Sequence, residues 1–325
     1  MSKKLIDKKP IEKCWLYAIA SPKDLARRIS RCLSTKEQPV TVDELDALTS
    51  DVGNFNVFPK RKNDKVRMVQ QPRARLQRIH RCVHDLLSRI ETPDYLHSAV
   101  AGRSYITNAA AHGAGVPSIK IDVKKFFPSV PRVAVYRFFA GPMRCNGEVA
   151  GLLANLLTYN GHLPTGGSAS PIIAFYAFKP MFDAIEAVAK LKRLTLTCYV
   201  DDMTLSGAGA TRGELQQIRV IIARSGLKSH KVKHLAAKRP KVVTGVAITT
   251  EGLRLPNRRH RAISDGFAEY RAAADPVTAQ KAFNKLIGRM HEAGQIEPHW
   301  KARAHTLERE HALHKQSLLT PDKYR

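Results

Sequence analysis

The chain has 325 residues, of which 43% are hydrophobic and 25% charged, the balance of a globular protein with a sizeable core rather than of a disordered or fibrous one. Its 54 lysines and arginines against 28 aspartates and glutamates leave a net charge of +26, an excess that points to a partner made of phosphates. Nucleic acid fits better than an acidic membrane surface, because no long amphipathic basic helix stands out.

Five scattered cysteines (Cys14, Cys32, Cys82, Cys145, Cys198), with no C-x-x-C among them, argue against a disulfide framework and against a structural zinc site. The longest apolar run, "PIIAFYAF" (171–178), is far short of a membrane span. No apolar stretch follows the charged start "MSKKLIDKKPIEK", so no signal peptide is expected. The expectation is a reduced, cytoplasmic protein with no membrane partner.

Residues 1 to about 45 carry helical patterning, with Ser21 placed as an N-cap before "PKDLARRISRCL". Next, "DVGNFNVFPKRKNDKVRMVQQP" has Gly, Asn and Pro punctuation. Lys60, Arg61 and Lys62, a turn at Asn63-Asp64 and a strand through Val66, Met68 and Val69 make it a basic hairpin. Leu76, Ile79, Val83, Leu86 and Leu87 recur at helical spacing from Arg73 to about Arg89. In "SIKIDVKKFFPSV", Ile119 and Ile121 would face the core while Lys120 and Asp122 face the other way. Asp122 thus ends a strand on its open side, and Pro128 stops it. A helix begins in "RVAVYRFFA", another spans 147–159, the loop "NGHLPTGGSASP" follows, and one more helix runs through 172–190.

"LTCYVDDMTLSG" (196–207) alternates apolar and polar residues on both sides of two adjacent aspartates, which reads as a hairpin with Asp201 and Asp202 at the bend. Thr211 and Glu214 have capping-box spacing, Leu215, Ile218, Ile221 and Ile222 supply an apolar face, and Gly226 closes the helix. "KVVTGVAI" (241–248) reads as one strand, and from about 257 the chain turns helical, basic and histidine-rich. Strand, helix, hairpin, helix, strand is the order of a split βαβ-like antiparallel sheet backed by helices, an α+β arrangement.

In that arrangement the strand of Asp122 and the hairpin of Asp201 lie side by side, and three carboxylates converge. Two like charges ~4 Å apart repel by a few kcal/mol at an intermediate dielectric, so something cationic belongs there. Hard oxygen ligands with room for phosphates and water suit Mg²⁺, and two such ions ~4 Å apart can activate a hydroxyl and stabilise a leaving pyrophosphate. A solvated Asp-Asp turn is the plain alternative for the pair alone; Asp122 on a strand of matching polarity tips the balance to metal.

These residues resemble those of a known family. "YVDD" (199–202) is similar to the Y-x-D-D box of reverse transcriptases, "IDVKKFFPSV" (121–130) to their upstream aspartate motif, and "LPTGGSASP" (163–171) to their L-P-x-G-x-x-x-S-P loop, in family order. "NAAAH" (108–112) and "VTG" (243–245) resemble marks of bacterial retron reverse transcriptases. The resemblance covers roughly residues 50–290.

It implies a right-hand polymerase with fingers, palm and a short helical thumb. Residues 1–45 would be an N-terminal helical extension, 46–250 the fingers and palm, and 251–325 the RNA-binding thumb. Asp122, Asp201 and Asp202 would be catalytic and hold two Mg²⁺ ions, the backbone carbonyl of Val123 assisting. Phe127 would be the gate that rejects a 2′-hydroxyl, with a core aromatic as its plain alternative. Lys62 and Arg67 would grip the incoming triphosphate, Gly166 and Gly167 would admit nucleotide or template, and Lys233 would also touch nucleotide. Asn108, His112, Val243, Thr244 and Gly245 would position the enzyme's own structured RNA. Thr165, Phe175 and His230 depart from the residues usual in the family, glutamine, asparagine and asparagine.

The implied function is RNA-directed DNA polymerisation of the retron type. Part of a cognate noncoding RNA would be copied from a guanosine 2′-hydroxyl into a short single-stranded DNA joined to RNA (msDNA), as part of an antiphage system with a separate effector protein. A group II intron-like or other retroelement reverse transcriptase is the enzymatic alternative. A non-catalytic RNA-binding scaffold is the alternative of another class.

Overall fold

In a computed structural model, residues 8–33, 38–50, 52–62 and 65–319 are described. Helices α1 (Pro22–Cys32) and α2 (Val42–Ser50) open the chain. The Ser21 hydroxyl caps α1 by accepting the Asp24 N–H at 3.2 Å, so an orphan donor of the first turn is satisfied as the sequence predicts. Leu16, Ile19, Leu25, Ile29 and Leu45 are fully buried in the same hydrophobic core as the central sheet. The described helices of this segment thus pack into that core.

Strands β1 (Phe55–Lys62) and β2 (Lys65–Pro72) form the expected basic hairpin, with Lys60 opposite Arg67; the turn at Asn63-Asp64 lies outside the described residues. Helices α3 (Ala74–Leu87) and α4 (Tyr105–Ala110) lead to β3 (Ser118–Val123). Then come α5 (Arg132–Ala140), α6 (Gly147–Leu156), α7 (Ser170–Ala177), α8 (Lys179–Leu191), β4 (Thr195–Tyr199), β5 (Asp202–Ser206), α9 (Arg212–Arg224) and β6 (Ser229–Leu235). The single helix expected over 172–190 is two, parted at Phe178, with Pro180 in the first turn of α8, where a missing N–H costs nothing.

The central sheet has the order β4-β5-β3-β6, antiparallel throughout, the split βαβ arrangement expected from the element order. Its two faces differ by the period of a strand. Ile119 pairs with Leu205 and Ile121 with Met203, all fully buried. Behind them Phe182 and Ile185 of α8 and Ile218 and Ile222 of α9 complete the core. On the opposite face Ser118 pairs with Ser206, Lys120 with Thr204 and Asp122 with Asp202. One face is thus an apolar floor; the other is a polar ladder ending in carboxylates.

The chain divides into two compact units, 1–108 with 116–237, and 109–115 with 238–325. The boundary expected from sequence at 250/251 falls instead at 237/238, because 238–254 packs with the second unit. There, β7 (Lys241–Val243), β8 (Val246–Thr249) and β9 (Gly252–Arg254) form a three-stranded meander. The single strand read in "KVVTGVAI" is a hairpin: Thr244 (φ 45°) and Gly245 (φ +85°) both take the left-handed region, as a two-residue I′-type turn requires. Helices α10 (Asn257–Arg271), α11 (Pro276–Ala293) and α12 (His299–Leu319) close around Phe283, Leu286, Met290 and Ala304. Among the described residues no helix is long and apolar enough to cross a membrane.

The floor beneath the carboxylates rests on an aromatic cluster: Phe182 meets Phe126 edge-on at 6.4 Å and Phe175 at 5.3 Å. Phe182→Ala is expected to cost about 3–5 kcal/mol in urea unfolding, and Phe182→Leu, which removes fewer atoms and leaves a smaller cavity, less than that.

Candidate active site

The two aspartates do not share the bend. Val200 and Asp201 form the two-residue turn, and Asp202 is the first residue of β5, paired with Tyr199. Only Val200 of the two has a positive φ, 62°, the position of a II′-type turn that normally takes glycine. A β-branched residue there stores on the order of 1–3 kcal/mol of strain. Neighbouring bonds hold it in place: the Val200 N–H donates to Ser98 Oγ at 2.9 Å, and segment 95–98 lies along β4 through Cys198 N–H to Tyr95 O and His97 N–H to Cys198 O. The Val123 N–H donates to Asp201 O at 2.9 Å, which ties the end of β3 to the turn.

The register places Asp122 directly opposite Asp202, with Asp201 one residue away. The Asp122 side chain is 18% exposed and that of Asp202 is 29% exposed, so both open onto solvent from a mostly enclosed position. Burial, then the charge of Asp122, pushes the Asp201 carboxyl up to about 6. Burial raises Asp202 as well, offset in part by Lys120, whose Nζ stands 3.7 Å from Asp202 Oδ2. The Cys198 thiol beneath the turn is pushed up by burial and by the two aspartates.

Two side chains answer Asp122: His230 Nδ1 lies 3.2 Å from Oδ1, and the Lys231 ammonium Nζ 2.9 Å from Oδ2. Adjacent residues on a regular strand point to opposite faces, so both can reach one carboxylate only through an irregularity. It is present: Lys120 pairs with Lys233 but Asp122 with His230, so β6 carries an extra residue, and Lys231 sits at φ 48°. The bulge re-aims Lys231. Lys231 and Lys120 are site residues that motif matching misses. Alternation gives Lys120 its face, whereas nothing local announces the bulge.

Phe126 is the core member of its pair, 3% exposed, and stacks at 6.1 Å on the partly buried Phe127. Arg67 is exposed on β2, Lys233 exposed on β6, and the side chain of Lys62 lies outside the described residues.

The two loop glycines have a packing role. A Cβ on Gly166 would stand 2.7 Å from Gln70 O, and one on Gly167 would stand 2.9 Å from His80 Nδ1. Gly166 N–H donates to that same Gln70 carbonyl, and the Thr165 hydroxyl donates to Gln70 Oε1 at 2.9 Å. The threonine found where the family has glutamine thus meets a glutamine supplied by β2, and the loop is fastened to the hairpin.

Asn108 and His112 are buried, at 0% and 3% exposure, and Val243 is buried on β7. His112 and the Val243–Gly245 turn fall in the same compact unit, and Asn108 falls in the other. Buried Lys241 reaches from β7 to Gly113 O at 3.3 Å, fastening the meander to the segment that follows His112.

Three oxygen-donor side chains gathered at one sheet end, one of them already resisting ionisation at about 6, are a donor set suited to a hard divalent cation. Residues 58–248 match the family model described as "Reverse transcriptase (RNA-dependent DNA polymerase)", more than half of the chain. The chain belongs to the reverse transcriptase family. Within it, the chain is 33% identical over 146 residues to the retron Se72 reverse transcriptase of Salmonella heidelberg, covering 45% of this chain and 38% of that protein. It is 28% identical over 238 residues to the retron Mx162 reverse transcriptase of Myxococcus xanthus (62% and 48% covered) and 24% over 214 residues to the retron Ec86 reverse transcriptase of Escherichia coli (64% and 67%). The chain thus spans less than half the length of the first two. Among solved structures, a foamy viral protease-reverse transcriptase aligns over 90% of the chain and 43% of its own at TM-score 0.40 and 16% identity. A Candida tropicalis telomerase aligns over 62% and 54% at TM-score 0.44 and 11% identity.

The raised Asp201 carboxyl sets a sign for stability. It titrates near 3.8 in the unfolded chain and about 6 in the fold, so folding takes up a proton between these values and the metal-free protein loses stability as pH rises through them. Asp201→Asn is therefore expected to stabilise the metal-free reverse transcriptase by on the order of 2 kcal/mol at pH 7.5 and by almost nothing below about pH 4. Urea unfolding in chelator at several pH values measures the difference; an equal gain at all pH would show that the charge is not its source.

Proposed function

We propose that the protein is an RNA-directed DNA polymerase of the retron type, with Asp122, Asp201 and Asp202 as its catalytic carboxylates. The observation that carries the reading is the placement of Asp122 opposite Asp202 at the open end of the polar ladder, beside Asp201. The retron type is supported by the curated relatives and by the "NAAAH" and "VTG" segments.

Two Mg²⁺ ions held by Asp122, Asp201 and Asp202 with the Val123 carbonyl would supply Lewis-acid activation of the attacking hydroxyl and neutralise the leaving pyrophosphate. The protein's own groups do the rest. Lys231, which pairs with Asp122 in the free protein, and His230, which hydrogen-bonds to it, would be free to turn toward phosphate once that carboxylate is otherwise occupied. Arg67, on an exposed strand, presents a planar fork suited to triphosphate oxygens, and Lys62 on the facing strand would add charge. Phe127, propped from behind by Phe126, would sit beneath the sugar and leave no room for a 2′-hydroxyl. Gly166, held against β2, would set the floor for the incoming nucleotide, and Lys233 would lie along phosphate.

The fingers and palm would be built from unit 1 and the thumb from the helices of unit 2, in the order expected from sequence. Asn108 in unit 1, and separately His112 with the turn Val243–Gly245 in unit 2, would contribute to recognition of the cognate noncoding RNA, with the exposed basic helices following its backbone. Synthesis would start from a guanosine 2′-hydroxyl and yield msDNA in the cytoplasm, and a separate effector protein would complete an antiphage system.

Expression from the native locus with flanking DNA, followed by a denaturing gel of the co-purifying nucleic acid, tests the reading. A discrete DNA band that shortens on ribonuclease treatment and is missing from the Asp201→Ala/Asp202→Ala double variant is the expected result. RNA alone in both lanes would sink the retron assignment, and absence of primer extension on a generic RNA template as well would favour a scaffold. Phe127→Ala is expected to lower discrimination against ribonucleotides at least about tenfold in primer extension, roughly 1.4 kcal/mol.

A further inference from the structure

We propose that the carboxy-terminal unit holds a second metal site, for a divalent transition cation of the Zn²⁺ class, built from His291, His305 and Glu308. His291 stands in the last turn of α11. His305 and Glu308 are three residues apart on α12, and such residues share a helix face. Glu308 bridges the two rings: His291 Nε2–H donates to Oε1 at 2.9 Å and His305 Nδ1–H to Oε2 at 3.1 Å. The ring centroids are 5.2 Å apart, and one donor atom from each residue lies within 4.8 Å of the other two. Among the described residues no other group of histidine, cysteine and carboxylate side chains meets that criterion.

The geometry is close to that of a three-ligand zinc site. With metal–ligand bonds of about 2.0–2.1 Å, the ligand atoms of a tetrahedral site lie about 3.3 Å apart. Each imidazole already stands against the carboxylate, one on each oxygen, and the three donor atoms have to draw in from within 4.8 Å. Two imidazoles and one carboxylate form the donor set of open zinc sites, whose fourth position belongs to water. Nitrogen donors also select Zn²⁺ over the hard Mg²⁺ that suits the three aspartates. The side chains are 35%, 56% and 38% exposed, so an ion has a direct path in.

Binding rearranges the ring protons. Each neutral ring changes tautomer, its N–H passing through solvent to the nitrogen that faces away from Glu308, so that the facing nitrogen turns a lone pair to the metal and the carboxylate becomes a ligand in place of a hydrogen-bond acceptor. A bound ion would pin the end of α11 to α12 across a packing layer formed by Leu286, Met290, Ala304 and Leu307. The lone alternative, a carboxylate bridging two surface histidines, needs no ion and binds none tightly.

The full-length protein, stripped with chelator, is titrated with Co²⁺ in excess Mg²⁺, since tetrahedral Co²⁺ has an intense visible absorption that six-coordinate Co²⁺ lacks. The expected result is one such Co²⁺ per chain, displaced by one equivalent of Zn²⁺ and retained in an Asp201→Asn/Asp202→Asn variant. His291→Ala and Glu308→Gln should each weaken binding at least about tenfold while leaving the circular dichroism unchanged. Glu308→Gln keeps the size and hydrogen-bonding reach of the bridge, so it decides the matter should His291→Ala disturb the helices. No intense absorption, an unchanged titration in the Glu308→Gln variant, or loss of the signal in the aspartate variant would each overturn the proposal.

Discussion

The molecule is organised around an electrostatic conflict at the end of one sheet. Strand register sets Asp122 against Asp202, and the turn adds Asp201 beside them. Two carboxylates about 5 Å apart repel by roughly 3 kcal/mol at an effective dielectric of about 20. Each feature around them lessens or tolerates that cost. Lys120 faces Asp202 along the same polar ladder, and a bulge in β6 brings Lys231 beside His230 onto Asp122. Burial and the charges of Asp122 and Asp202 outweigh Lys231 at Asp201 and hold its carboxyl up at about 6. A site of this kind is charged for a cationic visitor before the visitor arrives, which is the electrostatic preorganisation that phosphoryl transfer draws on.

Holding that arrangement requires a rigid support, and the apolar face of the sheet supplies it. Ile119, Ile121, Met203 and Leu205 are fully buried over α8 and α9, with Phe126 and Phe182 beneath the carboxylate end. The strained Val200 persists because Ser98 and the backbone of 95–98 clamp β4 from the side. Strain of on the order of 1–3 kcal/mol in a turn is affordable only where the surroundings overdetermine it. The loop 163–169 shows the same economy: its glycines admit the Gln70 carbonyl and His80, and its threonine bonds to Gln70, so a surface loop becomes part of the scaffold facing the hairpin. His80 suits that position because burial drives its ring down to about 4 and keeps it neutral.

Much was legible in the chain. The alternation of Ile119 and Ile121 with Lys120 and Asp122 follows from the period of a strand, so the two faces and the side on which Asp122 emerges are readable without coordinates. The Ser21 cap, the capping threonine at 211 and the hairpin around "YVDD" are local chemistry, decided by a few consecutive residues. The likeness of three motifs, in family order, carried the resemblance to reverse transcriptases. Where local signals were weak they misled. "KVVTGVAI" has the composition of one strand, yet Thr244 and Gly245 both adopt positive φ and fold it back on itself. Phe178 parts two helices whose apolar pattern runs on unbroken.

What the sequence determined by itself is therefore most of the elements, the two faces of β3 and the resemblance to the family, because these depend on periodicity and on motifs of fixed spacing. Tertiary structure alone decided which cations answer the carboxylates, why Gly166 and Gly167 are glycine, where one compact unit yields to the other, and that His291 meets His305 and Glu308. The reason is common to all four. Each depends on atoms brought together from distant parts of the chain, and a bulge at Lys231 or the approach of β2 to a loop some 95 residues away leaves no periodic trace in the residues that make it.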